Sequence, residues 1–422
     1  VTSSHTAPHP GHPPLSSGDR RARVAVASAF GAQGLAYAGL LSSLPGFKDR
    51  FGIGDDAVTF AILGVGILAA VGTVVAERVA RGRSGSRSVL VSGLVTVAIA
   101  VVVIALAPHV AFFFLGFAVY GLGLGQVDAG TNMQAVSLQR AYGRSIVTGF
   151  YAAWSAAGVL GALYVSAYAH FDVPQQVALP LLALLVLAVA LLVLRAAWRS
   201  HDAPLEVTAE EARAARALPW SGILILGAAV VAYYVVDTAS STWGTVYLAD
   251  VLDAGHDVAP FGYAAYVGTT LVSRLTGDFA VRRWGRVAVI RAAGLLGTVG
   301  LLAVVLAHSP VLAIAGFALT GIGLGVVAPL CFAAAGALSP AHANAVIARL
   351  NSFNYLGAIL GGVLVGAIAS GSTLRFGFVV PLVLAAVIIL LAPGFAVGQG
   401  HGPGPEVLDE PVDAAAHAGP VE

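Results

Sequence analysis

Two aspartates stand where acidic residues are costly. Asp128 follows a run of apolar residues and glycines; Asn132 lies one helical turn further on the same face, with Thr131 beside it. Asp237 is the only acid well inside another apolar stretch, and Tyr233, Ser240 and Ser241 share its face at helical spacing. A carboxylate inside an apolar span must face a cavity or a partner, and burial penalises its charged form. Such a group is suited to binding and releasing a proton, so Asp128 and Asp237 are the candidates for proton coupling. The competing readings are a structural hydrogen bond from Asp128 to a neighbouring helix, and a hydrated place for Asp237 at the mouth of the bundle near Trp243.

Other polar side chains form stripes within apolar stretches. Gln33 and Tyr37 share one face, and Tyr37 corresponds to Asp237 at an offset of 200 residues. Tyr151, Trp154 and Ser155 form a second stripe, matched by Asn351, Asn354 and Tyr355. Amides bond hydroxyls, and aromatic faces stack on apolar ring faces, so these residues suit a neutral polyhydroxy ligand. The plainer reading is interhelical hydrogen bonding by Asn and interfacial anchoring by Trp and Tyr. Arg274, Asp278 and Arg282 end one span in Arg-Leu-Thr-Gly-Asp followed by Arg-Arg-Trp-Gly-Arg; Glu77 and Arg81 are the counterparts earlier in the chain. An acid before a short basic turn can form ion pairs that break when a bundle opens, which makes these residues gate candidates. The plainer reading is that the basic residues only hold their loop on one side of the membrane. No His-Glu-x-x-His, Gly-x-Ser-x-Gly or phosphate-binding Gly-Lys-[Ser/Thr] motif occurs, so no catalytic residue, cofactor or ATP site is expected. His5, His9 and His12 are read as part of a solvated tail and not as a metal site.

The elements that must hold these residues are membrane helices. The chain is 58% hydrophobic and only 10% charged, with mean hydropathy +0.87. Apolar stretches near 24–46, 57–76, 89–107, 111–138, 146–168, 176–198, 219–248, 259–280, 287–307, 311–336, 344–370 and 373–396 predict twelve spans, each able to cross a core of about 30 Å. Gly116-Phe-Ala-Val-Tyr-Gly-Leu-Gly-Leu-Gly125 recurs as Gly316-Phe-Ala-Leu-Thr-Gly-Ile-Gly-Leu-Gly325, seven of ten positions being identical. A glycine-patterned stretch repeated at half the chain length predicts two copies of one six-helix bundle in parallel topology. The domains expected are a disordered tail at 1–20, a bundle at 21–198, a polar linker at 199–218, a second bundle at 219–396 and a disordered tail at 397–422. Seventeen Lys and Arg residues fall in one set of loops against three (Lys48, Arg50, Arg375) in the other, which puts both termini and the linker in the cytoplasm. No cleavable signal peptide is expected. Net charge is +1, so no nucleic-acid partner is implied, and the single cysteine, Cys331, allows no disulfide within the chain.

The motif Gly277-Asp278-x-x-x-Arg282-Arg283-x-Gly285-Arg286 resembles the loop signature of the major facilitator superfamily, with a degenerate copy at Glu77 and Arg81-Gly82. Within that superfamily, Asp128-Ala-Gly-Thr-Asn132 resembles the Glu-x-x-x-Asn of the fourth span of fucose:proton symporters. Trp154-Ser-Ala-Ala-Gly158 and Asn351-Ser-Phe-Asn354-Tyr-Leu-Gly357 resemble their Phe-Asn-Ser-Phe-Gly segments. The pattern is most similar to bacterial inner-membrane relatives of those symporters. The resemblance covers about residues 20–396 and implies alternating access with Asp128 as proton carrier. Asp stands where those symporters have Glu. Their first span carries an acid; here Gln33 and Tyr37 take its place, which leaves Asp237 as the second carboxylate.

The expectation is an all-α, twelve-helix secondary transporter of the bacterial cytoplasmic membrane, acting as a monomer on a small solute and protons. Symport of a sugar-like or other polar solute is the first reading. Proton-coupled drug or metabolite efflux is the alternative within the class, and a non-transporting membrane sensor is the alternative outside it. Direction, solute and coupling ion are open at this point.

Overall fold

The computed structural model describes residues 17–80, 85–142, 146–198, 220–338 and 343–396. The expected tails (apart from 17–20), the linker at 199–218 and Arg81 lie outside the described residues. What is described is all helix and turn. In a bilayer the backbone must satisfy its own polar groups, and long apolar segments do so by coiling. The chain runs through α1 (Ser17–Ser42), α2 (Leu44–Phe51), α3 (Asp55–Ala80), α4 (Gly85–Leu106), α5 (Val110–Tyr142), α6 (Val147–His170) and α7 (Gln175–Ala196). It continues through α8 (Trp220–Leu252), α9 (Phe261–Trp284), α10 (Arg286–Val305), α11 (Pro310–Leu324), α12 (Val327–Leu338), α13 (Ala343–Gly371), α14 (Leu374–Gly377) and α15 (Val379–Leu391), ending in a 3-10 turn at Ala392–Ala396.

Among the described residues, eleven segments are long and apolar enough to cross a membrane. The twelfth expected span is α9, whose 24 residues suffice in length but include Arg274, Asp278, Arg282 and Arg283. Two expectations change. Residues 17–20 were read as tail, yet α1 begins at Ser17: Asp19 sits in its first turn, where a carboxylate favours the helix dipole, and Ala22, Ala25 and Val26 are buried. The span read as 311–336 is interrupted between α11 and α12. Pro329 has no amide to offer the carbonyl of Gly325, and the helix loosens there.

Glycine sets how closely the helices approach. A β-carbon on Gly121 would stand 2.7 Å from the Val65 carbonyl oxygen of α3, and one on Gly125 only 1.9 Å from that of Ala69. The second glycine block does the same work: β-carbons on Gly321 and Gly325 would stand 2.3 and 2.8 Å from the carbonyl oxygens of Tyr266 and Thr270 in α9. On their other faces, Gly123 abuts Val97 of α4 and Gly323 abuts Gly297 of α10. Packing partners correspond as well. α1 packs on α6 as α8 does on α13, and α4 packs on α5 and α7 as α10 does on α11 and α15.

The three basic residues of the sparsely charged loops are all engaged. Arg50 donates to the carbonyls of Ala105 (2.7 Å) and Ala107 (2.6 Å) at the end of α4, and Arg375 donates to Val305 (2.6 Å) at the end of α10. Both satisfy carbonyls that a helix end leaves without partners. Lys48 is held by carboxylates.

Replacing Gly125 with Val should lower the thermal midpoint of the purified protein, with a loss on the order of 1–3 kcal/mol from overpacking. Gly64→Ala, where a β-carbon meets nothing within 4 Å, should leave it unchanged. Equal midpoints for the two variants would refute the close-packing role.

Candidate functional site

α5 carries Asp128 past its midpoint and leaves its side chain exposed among the described residues. Gln33 of α1 is buried and donates its Nε2–H to Asp128 Oδ1. α1 can bring Gln33 there because the next residue is Gly34, where a β-carbon would stand 2.2 Å from the Trp154 carbonyl oxygen of α6. Asn132 donates Nδ2–H to the Asp128 carbonyl at 2.8 Å, and Tyr151 of α6 donates its hydroxyl to Asn132 Oδ1 at 3.0 Å. The Tyr37 ring lies 5.9 Å from that of Trp154.

α8 carries Asp237, and its surroundings differ. Asp237 Oδ1 accepts hydroxyl hydrogen bonds from Tyr266 of α9 at 2.8 Å and from Tyr233 at 3.2 Å. Arg274 of α9 donates to the Tyr233 hydroxyl at 2.9 Å. Arg274, a gate candidate by sequence, therefore belongs to the Asp237 cluster: its long side chain turns back along α9. Tyr233 is wholly buried and lines no solvated surface; neither does Gln33. Tyr37 joins the two clusters. It reaches Thr242 of α8 and lies within electrostatic range of both Asp237 and Asp128.

Asn354 is half-buried on α13, and its neighbour Tyr355 is exposed within electrostatic range of Asp128. Arg282 is exposed at the far end of α9. The side chains of Glu77, Asn351 and Asp278 lie outside the described residues, as does all of Arg81. Sequence reasoning passed over Tyr120, Tyr263 and Tyr266. The spacing Tyr263-x-x-Tyr266 was the available signal, since it puts two aromatic hydroxyls on one helix face.

The site is sealed at one end and open at the other. The seal is a seam of small residues between α3 and α13 and between α6 and α9. A β-carbon on Gly366 would stand 1.9 Å from Thr59 Oγ1, and one on Gly362 2.9 Å from Ile62 Cγ2. Gly158 lies against the Tyr263 hydroxyl in the same way, at 3.1 Å. Polar bridges cross the same end. Lys48 pairs with Asp250 of α8 and with Asp55 at 2.5 Å, His256 with Asp49 at 3.1 Å, and His170 with Asp257 at 3.5 Å. Towards the other end, Asp128, Asn132 and Val136 form an exposed stripe at four-residue spacing, joined by exposed Tyr151 and Tyr355. Among the described residues no His, Cys, Asp and Glu side chains cluster as metal ligands would.

Burial pulls the Lys48 ammonium down, but hydrogen bonds and charge from Asp250 and Asp55 outweigh it and hold its pKa above the ordinary lysine value. A lysine raised in this way contributes in full below its unfolded pKa and loses the contribution only as pH rises through the raised value. This latch therefore holds through neutral and mildly alkaline pH. Lys48→Met should cost the sealed state about 1–2 kcal/mol, a roughly five- to thirtyfold shift in population. Spin labels on α2 and the end of α8 should then report a larger fraction of molecules with that end apart. An unchanged distance distribution would remove Lys48 from the latch.

The family model described as Major Facilitator Superfamily matches residues 26–311 and, overlapping, 225–411. Over 371 residues the chain is 27% identical to "Uncharacterized transporter y4wD" of Sinorhizobium fredii, covering 87% of this chain and 96% of that one. It is also 27% identical, over 363 residues, to an uncharacterized MFS-type transporter of Yersinia pestis, covering 84% and 91%. Among solved structures it resembles the nucleoside transporter NupG with a TM-score of 0.68 at 15% identity, covering 92% of this chain and all of that one.

Proposed function

The chain belongs to the Major Facilitator Superfamily, and from that premise we propose that it is a proton-coupled symporter of a small, polar, sugar-like solute. The coarser statement stands without the proposal: this is a multi-pass membrane protein and a secondary active transporter of a small solute, in a family of transporters and not of enzymes. The proposed architecture counts α9 as the twelfth span and reads 21–198 and 219–396 as two six-helix repeats. The matched glycine contacts and packing partners support it. With the basic loops inside, the sealed end faces outward, and the site as described opens to the cytoplasm.

The observation that carries the proposal is the unequal partnering of the two carboxylates. Asp237 is surrounded by two tyrosine hydroxyls, with Arg274 one hydrogen bond away. Its charge is compensated, and we assign it a structural and positioning role. Asp128 has a neutral amide as side-chain partner and an exposed side chain. Proton uptake discharges it before the bundle closes around it, which removes the penalty of burying a charge. Gln33 then ties α1 to the protonation state of α5. Asn132, Tyr151, Trp154 and Asn354 supply amides and aromatic faces around the open path, a set suited to hydroxyl-bearing solutes. The likeness of Asp128-Ala-Gly-Thr-Asn132 to the fucose:proton symporter motif points the same way.

One proton crossing about 100 mV is worth about 2.3 kcal/mol, enough for roughly fiftyfold accumulation. In proteoliposomes, Asp128→Asn should bring accumulation of a labelled sugar down to equilibrium while leaving solute counterflow intact. Normal accumulation by that variant would end the proton-carrier assignment. Transport confined to hydrophobic cations would replace symport with efflux.

A further inference from the structure

Five tyrosines of the bundle are almost wholly buried: Tyr120, Tyr233, Tyr247, Tyr263 and Tyr266. Three have clear partners. Tyr233 and Tyr266 donate to Asp237, and Tyr247 donates to the Val304 carbonyl at 2.6 Å. Tyr120 and Tyr263 have none, although they are 3% and 0% exposed. A phenylalanine would fill either place without leaving a buried hydroxyl unpaired, which is destabilising. The two groups also converge. Tyr120 stands on α5, eight residues from Asp128 towards the sealed end, about 12 Å along the helix. Tyr263 is the third residue of α9 at that same end, its hydroxyl pressed against Gly158 of α6. Both lie within electrostatic range of Tyr37, and of each other. Ser240 and Thr245 of α8, also buried and without hydrogen-bond partners, lie on the sealed side of Asp237.

Towards the open end, Asn132 and Tyr151 are bonded and exposed; towards the sealed end, Tyr120, Tyr263, Ser240 and Thr245 are buried and unpaired, while Tyr247 and Thr59 there are bonded. Separating α6 from α9 at the Gly158 seam uncovers the Tyr263 hydroxyl. We propose that Tyr120 and Tyr263 form the hydrogen-bonding face of the solute site in the conformation that opens the sealed end, and that their ligand is a neutral polyhydroxylated molecule. A phenol both donates and accepts one hydrogen bond, as sugar hydroxyls do, and the neighbouring Tyr37 and Trp154 rings offer faces for an apolar ring surface. This deepens the symporter reading and rests on it.

The test is uptake by intact cells of labelled L-fucose, D-glucose, mannitol and uridine, with hydrophobic cation efflux measured in parallel. For the solute that the wild type takes up, Tyr120→Phe and Tyr263→Phe should each raise KM roughly five- to tenfold, the loss of one hydrogen bond. The accumulation ratio at saturating solute should stay at the wild-type level, because coupling resides at Asp128. Thermal midpoints without solute should be no lower than the wild type's. Tyr247→Phe, which removes a bonded hydroxyl, should do the opposite: a lower midpoint and an unchanged KM. An unchanged KM in both the Tyr120 and Tyr263 variants, with the wild type active, overturns this inference and leaves the symporter reading in place. A wild type that takes up none of the four solutes but exports cations through Asp128 overturns the reading and this inference together.

Discussion

Two acids held midway through an apolar bundle must each be compensated or given access to water, and the rest of the molecule is arranged around that requirement. Transfer of an unpaired carboxylate into such surroundings costs several kcal/mol even after relaxation. Asp237 meets the requirement with protein groups, two phenols and the nearby Arg274. Asp128 meets it with one amide and an exposed path. The first solution is static: the arginine stays charged whatever happens nearby. The second depends on the path remaining open. If that path shuts, the carboxylate must first be neutralised. Under the symport proposal, proton binding and closure are linked by this cost.

The seal must be firm enough to hold and weak enough to release. Its polar bridges are mostly exposed: His170 and Asp257 show 66% and 40% of their side-chain surface, His256 and Asp49 48% and 72%. Such pairs contribute about 0–1 kcal/mol each. Lys48, at 11%, is the exception. Most of the seal is therefore contact between the bare backbone at Gly158, Gly362 and Gly366 and the side chains of Tyr263, Ile62 and Thr59. Between membrane helices, packing of this kind replaces the hydrophobic drive available in water. It is lost all at once when surfaces part and recovered when they meet, which suits a two-state seam.

Local patterns in the sequence reveal much of this. Apolar runs mark the spans, because length and hydropathy are properties of a segment by itself. The pairing of Asp128 with Asn132 on one face follows from helical spacing, and the duplicated glycine block forecasts close approach in two places. What is hidden is how each helix is rotated against its neighbours. Gln33 and Asp128 are 95 residues apart, and no spacing rule pairs them. Arg274 was grouped with Asp278 and Arg282 because they are adjacent in a motif, but a long side chain can reach several turns of space and it bonds Tyr233 instead. Tyr120 and Tyr263 look like ordinary core aromatics until their hydroxyls are seen to lack partners. The weakening of the helix at Gly325 is local in cause, yet an uninterrupted apolar run conceals it.

The duplication sharpens the contrast between the acids. In the 200-residue register, Asp237, Tyr233 and Arg274 correspond to Tyr37, Gln33 and Val74, while Asp128 corresponds to Ala328. Under the two-repeat proposal, each copy carries one of these acids, on a different helix, and only Asp237 has an arginine close by. Two unbalanced acids facing a common path would repel, and each would hold its proton against the other. Under the symport proposal Asp128 is the single site that loads and unloads, which favours one proton per cycle, and the hydrogen bonds from Tyr233 and Tyr266 hold Asp237 in place. Tyr37 lies within electrostatic range of both acids and reaches Thr242 across the two halves.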